Sequence, residues 1–134
     1  MNTTASTSHC TPHAADARSL GAFGEQVAAE WLESRGCGIL DRNWRTRYGE
    51  LDIVALDPQG VIVFVEVKTR RSTRHGLPQE SVTTAKQAHL RRAAVQWLIE
   101  PEHRVSHRGT RFDVVAITID NADAVSINCI EGAF

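Results

Sequence analysis

The sequence predicts an α/β domain with a mixed central sheet flanked by helices. Three observations carry this. Apolar residues recur at helical spacing over Ser19 to Arg35 and over Val82 to Glu100. Between them lie ELDIVALD and VIVFVEVKTR, rich in β-formers and separated only by Pro58-Gln59-Gly60. Two shorter β-rich segments close the chain. With 134 residues, 42% hydrophobic and 23% charged, the chain suits one domain large enough for a real core.

Residues 1–18 are rich in Ser, Thr and Ala and lack the basic start and apolar stretch of a signal peptide. They are expected to form a disordered N-terminal tail before a single domain over 19–134. His9, Cys10 and His13 cluster there, and a plain polar tail is a simpler reading than a soft-metal site. In the first helix Leu20, Phe23, Val27, Trp31 and Leu32 form one apolar stripe, with Ser19 as N-cap and Gly36 or Gly38 as the stop. Glu25 sits at the flank of the stripe.

Ile39 to Thr46 reads as a first strand, ended at Tyr48-Gly49. Glu50 to Asp57 and Val61 to Arg70 follow as a hairpin with Gly60 at the left-handed position of its loop. Residues 71–79 read as a loop. Ser81 or Thr83 caps the second helix, Leu90, Ala93, Ala94, Trp97 and Leu98 bury one side of it, and Pro101 stops it. Arg111 to Ile119 and Ala124 to Ile130 complete the sheet.

No apolar run approaches the roughly 20 residues that cross a bilayer, so no membrane partner is expected. Cys10, Cys37 and Cys129 match no metal spacing, and their odd number suggests a reducing, cytoplasmic setting. Net charge is −1. Its distribution is uneven: Arg42 to Arg111 holds 13 basic and 7 acidic residues, the remainder 2 and 9. A basic face suited to nucleic acid and a chance clustering both fit that asymmetry.

The hairpin carries the chemistry. Alternation places Glu50, Asp52, Val54 and Leu56 on one face, with Leu51, Ile53 and Ala55 on the other. Closing the three-residue loop pairs Leu56 with Ile62, Val54 with Phe64, Asp52 with Glu66 and Glu50 with Lys68. Opposed carboxylates repel. A hard divalent cation, a shared proton or a flanking lysine would each offset this. A cation beside Lys68 suits phosphodiester cleavage, the cation polarising a phosphoryl oxygen and acidifying water. Lys68, kept protonated by the two carboxylates, would stabilise charge developing on phosphorus. Glu-x-Lys alone is also a common solvated ion pair. The preceding VIVFV, apolar on both faces, places these charges at the end of an interior strand.

The stretches GxxGExxAxxWL (Gly21 to Leu32), ILxRNWRxxxGELDIVAxD (Ile39 to Asp57), VFVEVKTR (Val63 to Arg70) and RFDVVAI (Arg111 to Ile117) resemble the bacterial YraN-type family. Those proteins are predicted endonucleases, similar in fold to Holliday junction resolvases and to restriction endonucleases of the PD-(D/E)XK class. The resemblance implies a restriction-endonuclease-like core. It implies Mg²⁺ (or Mn²⁺) held by Asp52, Glu66, the Val67 carbonyl and Glu25, with Asp52, Glu66 and Lys68 catalytic. Leu51 stands where that class often has proline.

Arg70, Arg71, Arg74 and Lys86 are candidate phosphate contacts, with a solvated surface as the alternative. Trp44 and Tyr48 lie among Arg42, Arg45 and Arg47, a pattern that can stack unpaired bases, although core packing suits Trp44 better. Arg111 and Asp113 share a strand face and are expected to pair. Trp31 and Trp97 are expected in the core, and His89, His103 and His107 on the polar surface. The expected function is a metal-dependent endonuclease acting on DNA, branched or structured DNA included. The alternative is a non-catalytic nucleic-acid-binding domain that retains the fold. A homodimer is left open.

Overall fold

A computed structural model of the chain describes residues 2–7, 17–71 and 82–134. The elements are β1 (Asn2–Thr7), α1 (Ala17–Ser34), β2 (Gly38–Thr46), β3 (Gly49–Leu56), β4 (Val61–Arg70), α2 (Thr84–Ile99), β5 (Gly109–Ile119) and β6 (Val125–Ile130). A short 3₁₀ turn, Pro101–His103, follows α2. The sheet order is β1-β6-β5-β4-β3-β2. Only β4 and β5 pair in parallel, with α2 between them in sequence; the other neighbours are antiparallel. The result is the expected α/β architecture, a mixed sheet flanked by two helices, with a restriction-endonuclease-like core.

One expectation is corrected at the N-terminus. Asn2–Thr7, assigned to a disordered tail, forms an edge strand on β6. The β-branched threonines favour extended backbone, and β6 would otherwise present an unpaired edge. Residues 8–16, with His9, Cys10 and His13, lie outside the described residues, as do Ser81 and Arg74.

Each helix covers one face. On the α1 side Val27, Ala28 and Leu32 bury against Ile53, Ala55, Val63, Val65, Val115 and Ile117. On the α2 side Leu90, Ala93, Ala94 and Trp97 bury against Val54, Ile62, Phe64 and Val114. Strand β4 is therefore apolar on both faces, as VIVFV implied. Trp97 is fully buried, whereas Trp31 is only partly so. His103, expected on the polar surface, instead stacks on Trp97 at 4.2 Å and meets Trp44 edge-on at 5.6 Å.

Local chemistry sets the element ends. Gly36, at φ +88, closes α1 with bonds from Gly36 N–H to Glu33 O and from Cys37 N–H to Leu32 O. Thr83 caps α2 by accepting from Lys86 N–H at 3.2 Å. Ser19, expected as a cap, lies inside α1, which starts two residues earlier. In the β3–β4 loop Gly60 adopts φ +85, and the Asp57 carboxylate accepts from Gln59 and Val61 N–H.

Gly24 sets how closely α1 approaches β4. A Cβ there would lie 1.7 Å from Thr69 Oγ1, 2.8 Å from its Cβ and 3.0 Å from its Cγ2. Rotating Thr69 moves the oxygen but not its Cβ. We expect Gly24→Ala to cost about 1–3 kcal/mol of stability, read by urea denaturation, and Thr69→Ala in the same background to recover part of the loss. Additive effects of the two changes would show that this contact does not set the spacing.

Candidate metal centre

The expected register is present as far as the ladder runs: Leu56↔Ile62, Ala55↔Val63, Val54↔Phe64 and Ile53↔Val65. There the strands part. β3 continues along β2 to Gly49, and β4 continues along β5 to Arg70. Asp52 and Glu66 stand at the mouth of this fork. The Val67 N–H points into the gap and donates to Asp52 Oδ2 at 2.9 Å. The two are not backbone partners, because the ladder stops one pair short of them, but their carboxyls are close enough to raise the Asp52 pKa.

A second departure explains the rest of the cluster. Leu51 joins the α2-side core and Ile53 the α1-side core, so strict alternation fails between them. Trp44, opposite Leu51, also packs on the α2 side, while Arg42, opposite Ile53, donates to Gln26 of α1 at 3.0 Å. Both strands rotate at the Asn43/Asp52 step, where Asn43 takes a left-handed φ of +52. The rotation brings Glu50 and Asp52 round to Glu25 on α1. One carboxylate oxygen from each of these three residues lies within 4.8 Å of the others. With its nitrogen turned toward the surrounding acceptors, the Asn43 amide donates to Glu25 Oε1 at 2.8 Å and to Glu50 Oε1 at 2.9 Å. Glu50, expected opposite Lys68, ion-pairs instead with Arg45 at 3.0 Å. Glu50 and Asn43 were not recognised as site residues, because their positions depend on this rotation.

Glu66 is 7% exposed. Its Oε2 lies 3.1 Å from Lys86 Nζ, yet among the described residues no hydrogen bond of good geometry reaches that buried oxygen. Lys86, expected as a phosphate contact, thus reaches into the site. Burial pulls its pKa down, but the Glu66 charge and the close approach to Glu66 carry it above the ordinary lysine value. Lys68 moves the other way. Burial lowers it, Glu66 opposes that, and the nearby Lys86 ammonium adds to the lowering. Desolvation is the largest influence on Lys68, ahead of the attraction of Glu66.

Burial pushes the Asp52 carboxyl up to about 9, helped by its hydrogen bond to Glu66 and the Glu66 charge, and opposed by Val67 N–H. Burial, then Glu50, also raises Glu25, against Asn43 and Arg42. Glu25, Glu50, Asp52, Glu66, Lys86, His89, Thr83 and Tyr48 line one cleft of about 640 Å³. An all-oxygen donor set with a buried oxygen lacking a hydrogen bond fits a hard divalent cation such as Mg²⁺ or Mn²⁺. Burial raises both Cys37 and Cys129, the latter to about 12, so neither thiol is an activated nucleophile.

Other expected contacts are placed elsewhere. Arg71 pairs with Asp123 at 3.2 Å, and Arg70 ends β4 beyond Lys68. At the opposite end of the sheet Arg111 donates to Asp113 at 2.8 and 3.1 Å and to Asp57 at 3.4 Å, on the wall of a separate cavity of about 270 Å³. That is the expected structural pair.

The fold and this cleft define an α/β protein with a restriction-endonuclease-like core and an acidic cluster at a strand fork. Residues 24–117 match the model of the uncharacterised protein family UPF0102, and the chain belongs to that family. A UPF0102 protein of Bifidobacterium longum subsp. infantis is 53% identical over 117 residues, covering 87% of this chain and 94% of its own. One from Rhodococcus opacus is 48% identical over 115 residues (86% and 95%), and one from Trichlorobacter lovleyi is 45% identical over 117 (87% and 91%). Among the described residues no helix is long and apolar enough to cross a membrane.

The raised Asp52 gives a pH dependence whose sign is fixed. The unfolded chain loses this proton near the ordinary aspartate value of 3.8, and the folded protein near 9. Between these values the native state binds more protons, so stability contributed by this group falls as pH rises. We expect melting temperatures in chelator to decline from about pH 5 to about pH 9, Asp52→Asn to remove most of the decline, and Mn²⁺ to offset it at the alkaline end. A chelated wild type and Asp52→Asn with the same pH slope would contradict the protonated reading of Asp52.

Proposed function

We propose that the protein is a metal-dependent endonuclease that hydrolyses phosphodiester bonds in DNA, with Mg²⁺ or Mn²⁺ as its cofactor. The observation that carries the reading is the convergence of Glu25, Glu50 and Asp52, whose carboxylate oxygens lie within 4.8 Å of one another, on one cleft with the buried Glu66 and its partner Lys86. The family resemblance of the GELDIVALD and VEVKTR segments to predicted endonucleases points the same way. Such a concentration of desolvated charge costs stability and is typical of functional sites.

Asp52, Glu66, Glu25 and Glu50 would hold the cation, and the Val67 carbonyl is the further ligand that the resemblance implies. When bound, a divalent cation supplies Lewis acidity at the phosphoryl oxygen and lowers the pKa of water. The residues themselves divide the remaining work. Asp52 would have to be deprotonated to serve as a ligand. Lys86, kept charged by Glu66, is the group suited to stabilise negative charge on phosphorus. Lys68, two residues beyond Glu66 on the same strand, is suited to orient the attacking water. Asn43 and Arg45 fix Glu25 and Glu50 so that the acidic wall is preformed.

One observation favours a second reading, a nucleic-acid-binding domain without catalysis: the Lys86 ammonium already sits on Glu66, where a cation would compensate the same charge. Cleavage assays with linear, nicked, flapped and four-way-junction DNA separate the two. We expect cleavage that requires Mg²⁺ or Mn²⁺. Asp52→Ala should lower the rate at least about 10³-fold while DNA binding persists, and Lys68→Ala should lower kcat more than it weakens binding. Lys86→Met should bind Mn²⁺ more tightly, because a competing charge is gone, and cleave more slowly. Asp52→Ala cleaving like wild type would remove this site from the reaction. DNA binding with no cleavage under any metal would favour the second reading.

A further inference from the structure

Of the two aromatic residues in the basic stretch 42–48, Trp44 is packed into the α2-side core. Tyr48 is not. It sits half-buried in the β2–β3 turn and lines the same cleft as Glu25, Glu50, Asp52, Glu66 and Lys86. Its turn is held locally: Tyr48 N–H donates to Thr46 Oγ1 at 2.9 Å, and Gly49 follows at φ +145. Two exposed arginines from different elements converge on the ring. Arg47 lies 4.9 Å from the centroid and donates to the Tyr48 hydroxyl at 2.8 Å. Arg92 of α2 lies 5.8 Å from the centroid.

We propose that Tyr48 is a stacking platform for one unpaired nucleobase next to the scissile phosphate, with Arg47 and Arg92 receiving the flanking phosphates. The inference rests on the nuclease reading above and specifies its substrate: DNA with an unpaired nucleotide at the cut, not continuous duplex. Three features carry it. A base inside a duplex has both faces covered by its neighbours, so only an unpaired base offers a face to an aromatic side chain. The cleft, about 640 Å³, falls within the roughly 300–1,000 Å³ of sites that enclose one small molecule, far less than a double helix needs. Finally, an exposed arginine over a half-buried ring is weakly held, and a base stacks more strongly. An entering base can therefore displace the guanidiniums, which remain beside it to meet phosphate.

The test measures binding in chelator to three labelled DNAs: a continuous duplex, the same duplex with a single-stranded flap, and the free single strand. The flap carries 2-aminopurine at its first unpaired position. Wild type and Tyr48→Phe are expected to prefer the flap and to quench the 2-aminopurine. Tyr48→Leu is expected to bind the flap roughly 5- to 100-fold more weakly, to bind duplex unchanged and to lose the quench. Arg92→Gln should weaken all three DNAs alike and keep the preference, which tests the inference even if Tyr48→Leu fails to fold. Tyr48→Leu retaining both preference and quench would overturn it, as would a wild type that binds the three DNAs equally; DNA binding itself would then still stand. Wild type binding none of them would remove the nuclease reading and this inference together.

Discussion

Two strands that pair for four residues and then part create everything distinctive about this molecule. Up to Ile53↔Val65, β3 and β4 satisfy each other's backbone groups; beyond it each turns to its other neighbour. A buried N–H at the point of divergence needs an acceptor, and leaving it without one costs about 1–3 kcal/mol. The Asp52 carboxylate fills that need at Val67. The side chain that completes the backbone at the fork is thereby brought against Glu66. The two helices then supply the walls. α1 reaches β4 through the close approach at Gly24 and delivers Glu25 from the next position, while the Thr83 cap starts α2 so that Lys86 falls in its first turn over Glu66.

The electrostatic cost of this arrangement is large relative to protein stability. Two unit charges 4.8 Å apart repel by about 3 kcal/mol at an effective dielectric constant near 20. Several such pairs would consume much of the roughly 5–15 kcal/mol that holds a domain folded. Each carboxylate is accordingly compensated by a different device: burial that favours the protonated form of Asp52, the Asn43 amide between Glu25 and Glu50, Arg45 on Glu50, and Lys86 on Glu66. A divalent cation would act on all four carboxylates at once.

How much of this was legible in the sequence follows from which forces act locally. The apolar run of Val61 to Val67 and the left-handed requirement at Gly60 set β4, its two-sided burial and the hairpin register, so the nearness of Asp52 and Glu66 is legible in the sequence. Glu25 was not legible from periodicity, which put it only at a helix flank; the family resemblance supplied it. Glu50 was assigned to the wrong partner. Strict alternation does not survive a left-handed residue, and the one local signal for it in RNWRTRYGELD is that asparagine adopts that conformation more readily than other residues with a side chain. Lys86 looked like any surface lysine on a helix, because its partner is 20 positions away in sequence. His103 was misjudged for a related reason: its burial comes from Trp44 and Trp97, which only the tertiary fold brings to it. Strand β1 escaped notice because a short polar segment has no apolar periodicity and gains its place from the free edge of β6.

The two lysines show why composition could not assign the chemistry. Both are partly buried near the same glutamate, yet one rises and the other falls. Lys86 approaches to 3.1 Å of Glu66 Oε2, where attraction exceeds its desolvation. Lys68 loses solvent without gaining so close a partner and also faces the charge on Lys86. Each shift therefore supports the other: the better Lys86 neutralises Glu66, the less Glu66 can do to keep Lys68 protonated. A cation that took over Glu66 would release Lys86 toward solvent and the cleft, and would place a second positive charge beside Lys68. Both effects push in one direction, freeing a charged lysine for an incoming phosphate while lowering the pKa of the other. On the proposed reading, cation binding does more than complete a ligand set; it separates two chemically identical side chains into different roles.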